Sequence, residues 1–438
     1  MGNQQTSDVQ TFLAPDGLRP AYPLVEWLLA EGWTNDKSEE LIKQLADRIV
    51  ATGIPLSRLL VFVHSLHPQV AGVRYTWIRD SGPVQVWPVP HSAVATAVYR
   101  ASPVSELIEG AAACIRRRLD LPDPKLDFPI LEDLLADGAT DYVALPLVFS
   151  NGEINVASFV THRSGGFSDL EVAQLDATTK VLARLLEVHS VRRTAKTLLD
   201  TYLGKHTGER VLRGQVKRGD GEDLHAVIWF CDLRNSTTMA DSMPRGAFLH
   251  VLNDFFDCMA GAVLHHGGEV LRFIGDAALA IFPIGASSNG VDRGCCDSAT
   301  ACHTALAAAK DAQSRMDARN SERRVRNEPP LRYGLALHMG DVTYGNIGVP
   351  QRLEFTVIGP AANEAARLEG LCRTLNQPLL ISAEFKRCFP GELISLGHHT
   401  LRGLPGFVEV FTLPGSSTEN ALGSKVTLPR QTIGRSNN

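Results

Sequence analysis

The sequence has little of what would direct a chain to a membrane, a secretory route or a nucleic acid. None of its apolar runs approaches the roughly 20 residues of a membrane-spanning helix, and the N-terminus MGNQQTSDVQ lacks a signal-peptide pattern. The formal net charge of −5 gives no reason to expect bulk binding to nucleic acid. The 8 cysteines show no repeated spacing that would indicate a disulfide framework. We therefore expect a globular protein of the reducing cytoplasm, with no membrane and no nucleic acid among its partners.

Length and composition indicate more than one globular domain. Hydrophobic residues make up 44% of the 438 residues and charged residues 21%, which is ordinary for globular proteins. The sequence divides into a flexible N-terminus (1–20), a first domain (21–180), a connecting helix and linker (181–223), a second domain (224–413) and a disordered tail (414–438).

The first domain has helix and strand patterns in mixed order. A helix is predicted near 36–52, and the apolar runs LLVFVHSL and RYTWIRD are typical of strands. Two more strands are indicated within DYVALPLVFSNGEINVASFVTHR, joined at Asn151-Gly152, because this dipeptide favours tight hairpins. The run Arg116–Arg118 is predicted to be the solvated face of a helix.

A long helix and a polar segment follow. Ser168, with Glu171 three residues later, has the pattern of a capping box, and the helix that it opens is predicted to run to about 202. The segment GKHTGERVLRGQVKRGDGED (204–223) is charged and rich in glycine, which is typical of a linker. The helix is predicted to close the first domain and to continue as a coiled-coil connector.

Two aspartates in the second domain carry most of the chemical information. Asp232 ends an apolar strand in HAVIWFCDLRNST, and Asp276 lies at a glycine turn in GGEVLRFIGDAALAIF. A carboxylate at the end of a rigid strand is accessible to a divalent metal, and Mg²⁺ binds one or two carboxylates together with substrate phosphates. If the two positions meet, they are predicted to hold two Mg²⁺ ions against a triphosphate.

The order of the elements predicts that these aspartates do meet. The pattern gives a strand near 225–231, a helix near 244–265, a hairpin near 269–282, a helix near 294–318 and a strand from about 331. This βαββαβ order is typical of a split arrangement, in which the third strand inserts between the first two and runs antiparallel to the first. The start of that third strand, at Asp276, should then lie beside the end of the first, at Asp232.

With the segment LEFTVIGPAANEAARLE (353–369) added to these motifs, residues 225–413 resemble a class III nucleotidyl cyclase domain of the homodimeric bacterial type. The resemblance implies an α+β, ferredoxin-like (palm-type) fold. It also implies that Asp232, Asp276 and the backbone of Leu233 bind two Mg²⁺ or Mn²⁺ ions per active site. The backbone N–H groups that it assigns to the β- and γ-phosphates belong to Leu233, Arg234, Asn235, Ser236 and Thr237.

Two residues of the second motif are implied to serve the transition state. Asn363 and Arg367 are four apart, so they share a face if the segment is a helix. In the family the asparagine positions the ribose, and the arginine meets charge that develops on the α-phosphate. A different interpretation is an arginine that only pairs with Glu364 or Glu369.

The resemblance also indicates how the base is read. Cyclases that use ATP usually carry a lysine where this sequence has Arg272, whereas guanylyl cyclases typically carry a glutamate at that position. The second base-reading position of the family matches Thr356. Arg272 offers only donors, which suits N1 of adenine, although it could also reach O6 and N7 of guanine. Arg402, in HTLRGLPG, falls where the family binds the triphosphate.

The implied activity is that of an adenylyl cyclase, a phosphorus–oxygen lyase that converts ATP to 3′,5′-cyclic AMP and pyrophosphate. In the family, one subunit supplies the metal carboxylates and the other supplies the base-reading and Asn/Arg residues, so a homodimer with two composite sites is expected. Two alternatives stay open at this stage. The chain could be a guanylyl cyclase, or a cyclase-like regulatory protein of low activity because arginine replaces lysine at position 272.

Residues 36–195 resemble a GAF-type sensory domain. This resemblance implies a role in signal transduction, with a small molecule or a protein partner as ligand. The bound state would bias the cyclase dimer through the helix near 180–202.

Overall fold

Alternating apolar residues build two β-sheets, and each sheet organises one unit of the chain. The computed structural model describes residues 23–285 and 297–414. The chain divides into the units 1–198 and 199–438, a division that falls within the predicted connecting segment 181–223. The predicted flexible N-terminus and nearly all of the predicted disordered tail lie outside the described residues.

The first unit has a mixed order of helices and strands. In chain order they are α1 (Pro23–Ala30), α2 (Ser38–Ala51), β1 (Arg58–His64), β2 (Val70–Ile78), β3 (Gln85–Pro90), α3 (His91–Val94), α4 (Ala97–Arg100), α5 (Pro103–Ile108), β4 (Ile115–Arg118), α6 (Pro129–Ala136), β5 (Asp141–Val148), β6 (Ile154–Thr161) and α7 (Asp169–Leu203), which continues past residue 198.

The first sheet has the order β3-β2-β1-β6-β5-β4, with antiparallel neighbours throughout. The structure confirms the hairpin at Asn151-Gly152, since β5 pairs with β6 around it. It also confirms the capping box, because the Ser168 N–H donates to Oε2 of Glu171 at 2.6 Å and the Glu171 N–H donates to Oγ of Ser168 at 3.3 Å.

The prediction for the run Arg116–Arg118 was wrong. These residues form strand β4. Arg116 lies 2.9 Å from the carboxylate of Asp141, which is fully buried. A buried carboxylate needs a paired cation, so this basic run is part of the fold of the first unit.

The second unit contains the βαββαβ series and a C-terminal extension. In chain order its elements are α8 (Lys205–Leu212), β7 (Gly221–Leu233), α9 (Ser236–Ser242), α10 (Arg245–His265), β8 (Glu269–Ile274), β9 (Ala277–Ile284), α11 (Ser298–Val325), β10 (Tyr333–Val349), β11 (Arg352–Ile358), α12 (Pro360–Leu375), β12 (Leu379–Ser382), α13 (Ala383–Cys388), β13 (Ile394–His399) and β14 (Val408–Thr412).

The second sheet has the order β13-β14-β12-β10-β7-β9-β8, with β11 paired to β10. Strand β9 lies between β7 and β8 and runs antiparallel to β7, as the element order predicted. The segment 204–223 is not the plain linker that its composition suggested, because it contains α8 and the start of β7. The hydroxyl of Thr207 in α8 lies 2.6 Å from that of Tyr344, and this buried contact holds α8 to the sheet.

Both faces of the second sheet are covered. On β7, Val227, Trp229, Cys231 and Leu233 join a core with α10 and α11, while the intervening Ala226 and Ile228 join a core with α12. This alternation follows the period of two residues in a strand. Helix α10 is, within the described residues, the one helix long and apolar enough to cross a membrane. Seven of its residues are buried in the unit, which accounts for that composition.

We expect Phe255→Ala to destabilise the second unit strongly. Phe255 is fully buried between α10 and the sheet, and deleting a buried aromatic ring typically costs about 3–5 kcal/mol. Denaturant unfolding followed by circular dichroism measures this loss. Leu249→Ala on the same helix is the matched control, since Leu249 is 60% exposed. Equal effects of the two substitutions would contradict the assignment of this helix face.

Candidate active site

The two predicted metal carboxylates lie at one edge of the second sheet. Asp232 is paired in register with Ala277, the residue that follows Asp276. The Leu233 N–H donates to the backbone oxygen of Asp276 at 3.1 Å, which fixes the β8–β9 turn against the end of β7. The order of elements therefore brings Asp232 and Asp276 together, as predicted.

The electrostatics of this edge favour a bound cation. Burial raises the pKa of Asp232 to about 6, and the charge of Asp276 acts in the same direction, against Arg234. Within the described residues, neither Asp232 nor Asp276 forms an ion pair with a basic side chain. Two neighbouring carboxylates that are not paired with a basic side chain offer the hard oxygen donors that Mg²⁺ and Mn²⁺ prefer.

The predicted phosphate-binding segment is the turn that follows β7. Asn235 has a left-handed backbone with φ of 60° and precedes α9, whose first residues are Ser236 and Thr237. The Arg234 N–H donates to the backbone oxygen of Arg332 at 2.8 Å, which holds the start of the turn against β10. The turn thus lies directly beyond the paired aspartates in the chain.

The side chain of Arg234 forms an ion pair that the sequence did not indicate. Its Nη2 lies 2.6 Å from Oε1 of Glu369 and donates to the backbone oxygen of Glu369 at 3.1 Å. The contact with Oε1 is close but not aligned as a hydrogen bond, so it is mainly electrostatic. Burial raises the pKa of Glu369 to about 7, with Arg234 opposing and both Asp232 and Asp276 adding to the shift.

A glycine makes room for this pair. A Cβ atom at position 334 would lie 2.1 Å from Nη2 of Arg234 and 2.1 Å from Oε1 of Glu369. Gly334 is paired in register with Asp232. Arg234 and Glu369 therefore lie directly over β10, the strand that is paired with the end of β7. We call the sheet edge at which Asp232 and Asp276 lie the metal edge.

The two predicted base-reading residues lie on strands that come together. Nε of Arg272 on β8 is 2.9 Å from Oε1 of Glu354 on β11. Thr356 is two residues further along β11 and so points to the same side as Glu354. Among the described residues, the hydroxyl of Thr356 and Nε of Arg272 are buried without a hydrogen-bond partner, which makes Arg272, Glu354 and Thr356 a polar group with unused hydrogen-bonding capacity.

Asn363 and Arg367 lie on the exposed face of α12, one turn apart. The guanidinium of Arg367 lies 3.6 Å from where a Cβ atom of Gly403 would be, so it is next to the loop that carries Arg402. Arg402 is itself exposed. Arg367 is not in an ion pair with Glu364 or Glu369 within the described part of the chain, and Glu369 pairs with Arg234 instead.

Glu369 and Glu354 are the site residues that the sequence interpretation missed. For Glu369 a signal was present: it lies four residues after Ala365 and three before Cys372, on the stripe of α12 that is buried. An acid on an apolar stripe indicates a buried partner. For Glu354 no local pattern distinguishes it from a solvated strand residue.

The fold and the paired carboxylates define a class III nucleotidyl cyclase domain. Residues 222–404 match the family described as the adenylate and guanylate cyclase catalytic domain, and this part of the chain belongs to that family. The GAF-like character of the first unit is not tested by this match and stays a prediction.

Relatives of known sequence share the domain. A Mycobacterium tuberculosis protein described as uncharacterized is 30% identical over 277 residues, covering 60% of this chain and 46% of the relative. An adenylate cyclase of Anabaena cylindrica is 32% identical over 176 residues, covering 39% of this chain and 32% of the relative. The chain thus spans less than half the length of either relative.

Among solved structures, the adenylyl cyclase CyaB from P. aeruginosa is similar with a TM-score of 0.39 and 21% identity. The match covers 44% of this chain and 94% of that structure.

We expect the free energy of unfolding of Asp232→Asn, measured relative to that of the wild type, to increase as pH rises. The unfolded chain ionises Asp232 near its ordinary pKa of 3.8, whereas the folded chain holds the proton to about pH 6. The wild-type fold therefore loses stability between about pH 4 and pH 6, and asparagine does not. After allowance for solvent screening the difference should be on the order of 1–2 kcal/mol.

Thermal or denaturant unfolding at pH 4.5 and pH 7.5, with a chelator present, measures this difference. Asp241→Asn, at an exposed position of α9, is the control. A difference between Asp232→Asn and wild type that stays constant with pH would contradict the shifted pKa.

Proposed function

We propose that this protein is an adenylyl cyclase that converts ATP to 3′,5′-cyclic AMP and pyrophosphate. The single observation that carries the proposal is the pairing of Asp232 with Asp276 at one sheet edge, at the start of a turn with backbone donors. A triphosphate needs such an arrangement, in which metal-binding carboxylates and anion-binding N–H groups lie side by side.

Asp232 and Asp276, with the backbone of Leu233, would hold two Mg²⁺ or Mn²⁺ ions. When bound, the ions would neutralise the phosphates and acidify the ribose 3′-hydroxyl. Arg367 would donate to the α-phosphate where charge develops, and Asn363 would orient the ribose. Such preorganised donors stabilise the transition state without reorganisation. The N–H groups of Leu233 and Arg234 already donate to the backbone oxygens of Asp276 and Arg332, so Asn235, Ser236 and Thr237, together with Arg402, would bind the outer phosphates.

The choice of adenine rests on the pair of Arg272 and Glu354. A guanine read through N1–H and N2–H needs both oxygens of a carboxylate, but Oε1 of Glu354 lies in an ion pair with Nε of Arg272, a contact that is close but not aligned as a hydrogen bond. One free carboxylate oxygen and the donors of Arg272 suit the amino group and N1 of adenine. The second candidate is a guanylyl cyclase, which is favoured by the presence of the Glu354 carboxylate beside Arg272.

The geometry of α12 supports composite sites in a homodimer. Glu369 faces Arg234, beside the metal edge of its own chain. Arg367 is two residues away, which is about 200° around a helix, and so it faces away from that edge. Asn363 shares the exposed face with Arg367. This geometry supports the proposal that a second copy of the chain supplies Asn363 and Arg367 to each pair of aspartates.

The first unit is proposed to be a GAF-like sensory domain that regulates the cyclase. The support is the continuity of α7, which begins in the first unit and ends in the second. A small molecule or a protein partner that changes the first unit could act on the dimer through this helix. The six cysteines within the described residues form no disulfide, which is compatible with the reducing cytoplasm as the site of action.

A regulatory protein without turnover is the less supported alternative. Such a protein has no use for two adjacent carboxylates, which repel each other when unoccupied. Asp232, Asp276, Asn363 and Arg367 are all present in this chain. Their joint presence favours an enzyme.

We expect the purified protein to form cyclic AMP from ATP in the presence of Mg²⁺ or Mn²⁺. Removing one carboxylate with Asp276→Ala should lower kcat on the order of 10²–10³-fold, as is typical when one electrostatic stabiliser is lost. Nucleotide turnover with ATP and with GTP is the measurement. Cyclic GMP as the main product would favour the second candidate. A dimeric, nucleotide-binding protein without product, even with Arg272→Lys, would contradict an enzyme.

We expect Glu354→Ala to lower kcat/KM for ATP by about 10- to 100-fold, because the proposed hydrogen bond from the amino group of adenine to the Glu354 carboxylate is lost. Arg272→Gln should instead raise the ratio of GTP to ATP turnover, since both oxygens of Glu354 become free. Glu392→Gln, at an exposed position between α13 and β13 and outside every ion pair of the described residues, is the control for a lost carboxylate. An unchanged ATP to GTP ratio in both base-site variants would contradict this assignment.

A further inference from the structure

Arg234 and Glu369 connect two elements that the proposed function assigns to different active sites. Arg234 belongs to the turn after β7, next to the metal edge, and Glu369 belongs to α12, which carries Arg367. Besides the contact with Oε1, Arg234 donates to the backbone oxygen of Glu369, so the helix backbone itself is held. We name Arg234 and Glu369, with the space over Gly334, the 234–369 clamp.

A purely structural role does not explain this clamp. Glu369 is 5% exposed, and it lies with Arg234 over Gly334, the residue that is paired with Asp232. Apolar residues of similar volume usually stabilise a fold as well as a buried ion pair does. A third acid, Glu369, is therefore unfavourable next to Asp232 and Asp276, unless it has a positioning role.

The backbone contacts show what is held. The Leu233 N–H is bonded to Asp276 and the Arg234 N–H to Arg332, so the turn is tied to the β8–β9 hairpin and to the start of β10. The clamp adds α12 to this set. Because Arg367 is two residues from Glu369, a shift of the clamp by a fraction of an ångström moves Arg367 as well.

We propose that the 234–369 clamp is a positioning pair that serves both composite sites of the dimer, aligning the metal edge of one site and Arg367 of the other. The proposal rests on the proposed function, in which each subunit gives its aspartates to one site and its α12 to the other. The clamp does not touch substrate, and it acts through Asp232 and Arg367.

The first test is structural and needs no activity. The double variant Arg234→Met with Glu369→Met replaces the ion pair by apolar side chains of similar volume and should leave the thermal midpoint within a few degrees of the wild type. Hydrogen exchange should become faster both at the amides of Leu233 and Arg234 and along α12. Glu392→Gln, at an exposed position between α13 and β13 and outside every ion pair of the described residues, is the control and should change neither. Faster exchange at one element alone would overturn the clamp.

The second test uses mixed dimers. A subunit with Asp276→Ala and a subunit with Arg367→Ala together form one complete site, with aspartates from the second and Arg367 from the first. The Met pair is then introduced into either subunit. We expect kcat to fall by about 10- to 100-fold in both cases, as for a misplaced catalytic group, with KM within about threefold.

The outcomes separate the two proposals. A fall in kcat from both subunits supports the clamp. A fall from only one subunit, or from neither, overturns its double role. If the parent mixture regains no activity, the shared sites of the proposed function fail, while the exchange experiment still decides whether the clamp joins the turn to α12. If the Met pair does not fold, Arg234→Lys, which keeps the charge but loses the fork, replaces it in both tests.

Discussion

The antiparallel pairing of β7 with β9 is the contact on which the catalytic unit depends, because it sets Asp232 beside Asp276. The register of this pairing is fixed by burial on both faces of β7. Trp229 packs with α10 and α11, and Ile228 packs with α12. A slip by one residue would exchange the two faces and remove Asp232 from the edge. The packing of apolar side chains thus determines where the carboxylates lie.

This arrangement concentrates acidic groups. Burial and the charge of Asp276 raise the pKa of Asp232, and burial together with the charges of both aspartates raises the pKa of Glu369. One cation of the chain, Arg234, acts against this repulsion, and it is bound to Glu369. The aspartates keep their oxygens available for an ion from solution. A strained charge distribution of this kind is typical of functional sites, where the fold accepts a loss of stability.

Local patterns predicted the elements whose formation is local. The turn at Asn151-Gly152 and the cap formed by Ser168 and Glu171 depend on residues close in sequence, and both were confirmed. The helix assignment for Arg116–Arg118 failed because a run of three polar residues has no period, and its partner Asp141 is 25 residues away. The linker assignment for 204–223 failed for the same reason, since Thr207 is held by Tyr344, 137 residues away.

The sequence by itself determined the βαββαβ order, the meeting of Asp232 with Asp276 and the common face of Asn363 and Arg367. Each of these follows from the periods of strands and helices and from the rules by which they connect. Only the tertiary structure decided that Arg234 pairs with Glu369 over Gly334, and that Glu354 engages Arg272. Ion pairs between distant segments depend on side-chain geometry and on burial, and neither property is encoded in the local pattern around a single residue.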